Sequence, residues 1–170
     1  LLRHYEVSAD DDAANKLTTD ITIATNSQTP VELRDLRAND SKQQDLSVAV
    51  GQLGYEYLTK KGTGSSKTIS RTIPSSVASE AIFSTWKKKP HLAKYKKQEL
   101  FGKFYDEVFS NINGAQLIIA VLVFRYCDAN RKKIELIENY KHLPYSNYFI
   151  SMICSEILLE KLKIEIKDLT

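Results

Sequence analysis

The sequence predicts a mainly α fold, a single helical domain over residues 1–170 with about seven helices, a short N-terminal strand and a small β-hairpin. Apolar residues recur at spacings of three and four along most of the chain. Capping and stop residues fall at the ends of those stretches, and strand-like composition is confined to short runs. A chain of 170 residues is long enough to bury one core.

In order along the chain, Leu2–Val7 reads as the short strand. Asp10, Asp11 and Asp12 place negative charge at a helix start, where the macrodipole favours it. Ala13, Ala14, Leu17, Ile21 and Ala24 form that helix's apolar stripe, and residues 25–28 end it. Thr29, Pro30 and Glu32 predict a capped start for a short helix ending near Arg37. Asp40 and Gln43, at capping-box spacing, open the next helix. Its buried stripe is Leu46, Val50 and Leu53, and Gly54 stops it.

Residues 55–60 and 67–73 have strand propensity, and the loop between them predicts the β-hairpin. Pro74, Ser75 and Ser76 start a helix with Ala78, Ala81, Ile82 and Thr85 on one face, Trp86 near its end and Pro90 as its stop. Leu100, Phe101, Phe104, Tyr105, Val108 and Phe109 make a helical stripe, and residues 111–114 a turn. Residues 115–140 read as a long helix whose first half is apolar all round and therefore buried. Its β-branched content leaves a strand reading open for 117–124. Tyr148, Phe149, Met152, Ile153, Ile157 and Leu158 define the last helix, with Lys161 and Lys163 at its C-terminal dipole.

Composition excludes several classes. Gly 6 and Pro 4 are too few for a linker or low-complexity chain. The longest apolar run, 115–124, falls short of the roughly 18 residues a bilayer span needs. His4, His91, His142, Cys127 and Cys154 lack metal-ligand spacing, so no metal and no cofactor is expected. The two cysteines lie in apolar stretches and fit free thiols in a reducing cytoplasm. No nucleophile or zinc-hydrolase motif occurs, Gly62 and Gly64 lack the spacing of a phosphate-binding loop, and Asp106-Glu107 reads as exposed helix charge. No catalytic residue is assigned.

Charge is distributed unevenly. Residues 57–103 hold eleven basic residues against only Glu80 and Glu99, a balance of +9, while the remainder carries −6. Such a segment suits a polyanion, because Lys and Arg neutralise phosphates and release counterions. It equally suits a solvated face, and both readings stay open. The candidate nucleic-acid-binding residues are Lys60, Lys61, Lys67, Arg71, Lys87, Lys88 and Lys89; a lysine run reads backbone charge, not sequence.

The stretch from Ile23 to Asp40 is dense in side chains that hold loops by hydrogen bonds: Asn26, Ser27, Gln28, Asp35, Asn39 and Asp40. Arg34 and Arg37, three apart, share a helix face. They could grip a phosphate or carboxylate bidentately, or pair with Asp35, Asp40 or Asp45 to lock two helices together.

Thr25-Asn26-Ser27-Gln28-Thr29-Pro30-Val31, followed by Leu33-Arg34-Asp35-Leu36-Arg37-Ala38-Asn39-Asp40, closely resembles the abortive-infection phage-resistance (AIPR) family. The pattern continues with Gln43 or Gln44, Gly54-Tyr55-Glu56-Tyr57, Lys60-Lys61-Gly62, Ile73, Trp86 to Pro90, Leu100-Phe101, and Tyr105 to Phe109. The resemblance covers residues 1 to about 140 and marks Asn26, Ser27, Gln28, Arg34, Asp35, Arg37, Asn39 and Asp40 as family-motif residues. It implies bacterial defence against phage by aborting infection, with this chain as the C-terminal fragment of a longer protein. A nuclease-like activity, if present in the family, would belong to the N-terminal part. Asn113-Gly114-Ala115-Gln116 imitates a family Asn-Gly-x-Gln element in the wrong place, and no role is carried to it.

Three functional classes follow. The first is a non-catalytic domain whose basic surface faces DNA or RNA. The second is an interaction domain that senses a phage protein, holds the rest of its own longer chain or builds a homo-oligomer through its aromatic stripes and apolar last helix. The third is an enzyme using Asn26, Gln28, Arg34 and Asp35, although no pair with matched acid and base roles is visible. No membrane partner is expected.

Overall fold

The computed structural model describes residues 32–60, 68–134 and 145–170, with backbone alone for 132–134. The expected strand Leu2–Val7, the helix opening at Asp10 and the loop at 61–67 lie outside the described residues. So do Asn26, Ser27, Gln28, Lys61 and Lys67. The described elements build one compact unit, Leu33–Thr170. In order they are α1 (Leu33–Leu36), a 3-10 turn (Arg37–Asn39), α2 (Ser41–Gln52), β1 (Glu56–Leu58), β2 (Thr72–Pro74), α3 (Ser75–Thr85), α4 (Pro90–Tyr95), α5 (Tyr105–Phe109), α6 (Gly114–Ile134) and α7 (Ser146–Leu162). The mainly α class expected from the sequence is the one found, with seven α-helices among the described residues.

Helix α3 is the hub, packed against α4, α6 and α7. It is buried nearly all round, through Ala78, Ala81, Ile82 and Phe83 as well as Ser75, Ser79, Ser84 and Thr85. Buried hydroxyls need partners; Ser75 Oγ donates to Thr59 O at 3.3 Å, and the other three use the helix's own carbonyls. Ser79 Oγ donates to Ser76 O, Ser84 Oγ to Glu80 O and Thr85 Oγ1 to Ala81 O, each at 2.8 Å. Small side chains therefore let three helices approach α3 with no polar group stranded. Around it lie Leu100, Leu117, Val108, Val121, Phe101, Tyr105 and Phe109, with Phe124 meeting Tyr148 edge-to-face at 5.0 Å.

Several expectations are corrected. The hairpin is instead a parallel pair, with Glu56 opposite Thr72, Tyr57 opposite Ile73 and Leu58 opposite Pro74. Residues 59–71 are long enough to carry the chain back to the same end, which a parallel pair requires. A 3-10 turn, Ile69–Arg71, delivers β2 into register. Arg125 of α6 fixes it there, its Nη2 donating to Thr72 O at 2.6 Å. Pro90 does not merely stop α3. It opens α4 as a first-turn proline, after Lys88 has reversed the chain at φ 55°. The aromatic stripe at 100–109 is a 3-10 turn (Lys97–Phe101) and α5, separated at Gly102, where a Cβ would come within 3.0 Å of Leu33 Cδ1.

Helix α1 begins at Leu33, so Glu32 precedes it rather than lying in its first turn. Asp40 does cap α2, accepting from Lys42 N–H at 3.0 Å, but Gln43 does not return the bond. Leu53 is 50% exposed, whereas Leu46 and Val50 are buried as expected. Gly54, at φ 82°, turns the chain off α2. Residues 117–124 are helical, which closes the strand reading. The buried face of α7 is Asn147, Tyr148, Ser151 and Ser155, and the expected Phe149, Ile153 and Ile157 lie 46–49% exposed.

Candidate functional site

Two places gather the residues singled out by sequence. The first is the α1–α2 junction. Arg34 grips Asp35 through Nε and Nη2 at 3.1 and 3.0 Å. Arg37 reaches Asp40 at 3.4 Å and lays its guanidinium 4.5 Å from the centre of the Tyr105 ring. Asp40 at once caps α2, and Gln44 Nε2 donates to Ala38 O at 2.8 Å across the turn. Both arginines are paired with carboxylates, Arg34 with its chain neighbour Asp35 and Arg37 with Asp40 at the start of α2. Asn39 stands exposed in the 3-10 turn.

Beneath this junction lies a buried polar chain. Tyr57 O–H donates to Gln43 Oε1 at 2.7 Å, and Gln43 Nε2 donates to the Tyr105 hydroxyl oxygen at 3.4 Å. Burial, then the neighbouring Tyr105, pushes the Tyr57 phenol far up. Burial pushes Tyr105 up to about 12, Asp40 adding to it while Arg37 and the Gln43 hydrogen bond oppose. Lys42 bridges to Asp106 at 2.7 Å and ties α2 to α5. In the described part of the family-motif segment Arg34 and Arg37 are thus paired with carboxylates, and the Gln43 amide beneath them is shared by two phenols.

The second place is the basic segment. Its described residues do not converge on one point. Arg71 lies against Gly54, within 3.6 Å of where a Cβ would stand. Lys60 is exposed beyond β1. Lys87, Lys88 and Lys89 occupy the α3–α4 turn, and each is engaged. Lys87 Nζ donates to Ser110 O at 2.9 Å, Lys88 pairs with Glu156 at 2.6 Å and Lys89 pairs with Glu107. Burial lowers the Lys87 pKa, partly opposed by Glu107. The charge asymmetry of the sequence is met here in space by carboxylates from α5 and α7.

A different cluster forms further along. Lys94, Tyr95, Lys96, Lys97, Gln98 and Glu99 line an open hollow of about 420 Å³ at the end of α4. Glu80 of α3 holds one of the lining residues, accepting from Lys97 at 2.6 Å, and also accepts from the Tyr148 hydroxyl. Lys96 pairs with Glu99 at 2.9 Å. Lys94 has no ion pair among the described residues and stands 3.8 Å over the Tyr145 ring. Burial, then the like charge of Lys97, lowers its pKa; Glu80 opposes and Arg131 adds to the lowering. The sequence candidates omitted Lys94, Tyr95, Lys97, Arg131 and Tyr145. The interleaving of Lys94, Tyr95, Lys96 and Lys97 was the one local signal for them. Arg131 and Tyr145 join only through folding.

No group of three or more potential metal ligands occurs among the described residues, and none of their helices is long and apolar enough to cross a membrane. A family model described as AIPR protein matches residues 2–170. The chain belongs to the AIPR family. No curated protein and no solved structure matches it.

The AIPR match reaches beyond residue 140, where the motif resemblance faded, and takes in α7 and the tail. The tail has its own clamp. Asn113 Oδ1 accepts from Gln116 N–H at 2.9 Å and Gln116 Oε1 from Asn113 N–H at 3.1 Å, a reciprocal cap on α6. The remaining amide hydrogens hold the C-terminal segment, Asn113 Nδ2 donating to Leu169 O at 2.7 Å and Gln116 Nε2 to Ile166 O at 2.9 Å. Trp86 Nε1 closes the set on Gln116 O at 2.9 Å. The Asn-Gly-Ala-Gln element of this AIPR chain is therefore a cap and clamp, a role its sequence position did not suggest.

Proposed function

We propose that this AIPR chain serves bacterial defence against phage by abortive infection, and that its helical unit is a non-catalytic domain contacting the phosphate backbone of nucleic acid. It would work in the cytoplasm, where Cys127 and Cys154, both free thiols, stay reduced. The supporting observation is the hollow at Lys94–Glu99, where an ammonium lacking a carboxylate partner among the described residues stands beside further cations. An anion brought there relieves repulsion that Glu80 alone does not cancel. Lys60 and Arg71, exposed elsewhere on the same basic segment, would add non-specific attraction. At the α1–α2 junction Arg34 and Arg37 are already held by carboxylates, which favours the hollow over the junction as the phosphate contact.

Filter binding of labelled DNA and RNA at low salt tests this. Retention that exceeds a neutral control protein and fades with added salt is expected. Retention equal to the control would contradict it.

A second reading has its own observation. Phe149, Ile153 and Ile157, four apart on α7, are each about half exposed and form an apolar stripe suited to a protein partner or a second copy. Sedimentation equilibrium distinguishes the self-association version: a concentration-dependent dimer supports it, and a monomer at high concentration opposes it.

A further inference from the structure

Resting on the phosphate-contact reading above, we infer that the hollow at the end of α4 is a site for single-stranded nucleic acid, with phosphate at Lys94 and a base stacked on Tyr95. The ring of Tyr95 is 71% exposed although it belongs to the helix that builds the hollow. Its one ring neighbour among the described residues is Tyr145, tilted by 59° at 6.2 Å, so the pair is an open step and not a closed stack. Tyr145 in turn carries the Lys94 ammonium 3.8 Å from its ring centre. A cation and an open aromatic surface therefore stand side by side, the combination by which proteins hold single strands.

The chemistry selects the form of the polymer. A duplex keeps its bases stacked on one another and offers a surface only phosphate. A single strand can splay a base onto an aromatic ring while its backbone follows the basic wall. Lysines and a tyrosine face supply no hydrogen-bond code for base edges, so the site is sequence-tolerant. Glu80 holds Lys97 and the Tyr148 hydroxyl, and the Tyr148 ring lies 5.9 Å from the Lys94 ammonium.

Fluorescence anisotropy with a labelled thymidine oligonucleotide of about 20 nucleotides, its RNA counterpart and a duplex of equal length tests the site. The full chain is used, with circular dichroism confirming that each variant folds. Single strands are expected to bind about tenfold more tightly than duplex. Tyr95→Ala should lose about tenfold on single strands and leave duplex binding unchanged, and Tyr95→Phe should keep wild-type affinity, because stacking needs the ring and not the hydroxyl. Lys94→Gln should weaken both polymers. Equal affinity for strand and duplex, or a Tyr95→Ala variant that binds single strands normally, overturns this inference and leaves the phosphate-contact reading standing. Binding of neither polymer overturns both.

Discussion

Gly114 and Ala49 touch backbone to backbone: a Cβ on Gly114 would stand 2.9 Å from both the carbonyl carbon and the Cβ of Ala49. The first residue of α6 is thereby pressed onto the middle of α2. Gly114→Ala should cost about 1–3 kcal/mol, since backbone and not a flexible side chain must yield. Gly51, in α2 with nothing within 4 Å of its would-be Cβ, is the control. There alanine should stabilise by about 0.5–1 kcal/mol through helix propensity. Urea unfolding of both variants checks the contrast; a Gly114→Ala protein as stable as wild type would contradict the close approach.

The Tyr57–Gln43–Tyr105 chain makes a second prediction. Tyr57→Phe removes the donor to Gln43 Oε1 and leaves a buried amide oxygen without its 2.7 Å partner. The expected loss is about 1–3 kcal/mol. Replacing Gln43 by Leu in the same protein removes the stranded oxygen, so the double variant should lose less than the two single losses added. Additive losses in urea melts would show that the pair is not coupled.

Gln116 has four bonding roles, at its backbone N–H and carbonyl and at both ends of its side chain. Gln116→Ala keeps the first two and loses the others, freeing Ile166 O and half of the cap. A stability loss of about 1–2 kcal/mol is expected. Amide exchange should rise selectively over residues 164–170, with the core of α3 still protected. Uniform exchange across the chain would mean that the clamp does not hold the tail.

The buried phenols predict alkaline lability. Tyr105 ionises at about 12 in the fold against about 10 in an unfolded chain. Burial raises Tyr57 and Tyr148 as well, with Glu80 adding to the latter. A raised folded pKa stabilises fully below the unfolded value, because both states are then protonated. Between about pH 10 and 12 the unfolded chain loses protons that the folded one keeps, so stability falls as pH rises. Tyrosinate absorbance should therefore lag for these three residues and appear together with the loss of near-ultraviolet dichroism. Smooth ionisation of all nine tyrosines near pH 10 would contradict the burial.

Sequence made α3, α6 and α7 legible because their apolar spacing and end signals are local. Asp40 and Gly54 were legible for the same reason, one through its side-chain cap and the other through its left-handed φ. What escaped depended on distant partners. A parallel pairing of β1 and β2 leaves no local mark that separates it from a hairpin. Gln43 reads as a capping residue until Tyr57 and Tyr105 are brought over it. Phe149, Ile153 and Ile157 read as core because they are apolar, yet α7 turns its small polar face, Ser151 and Ser155, toward the core. The basic segment showed the same limit: Lys88 and Lys89 found Glu156 and Glu107, whereas Lys94 stands over the rings of Tyr145 and Tyr148.

The salt dependence of oligonucleotide binding tests the phosphate-contact claim most directly. For single strands, log affinity should fall with log salt at a slope of about −0.7 per phosphate neutralised. With Lys94 changed to Gln, the slope should become shallower by about 0.7, one contact's worth. A wild-type slope near zero, or one that the substitution leaves unchanged, would contradict the claim.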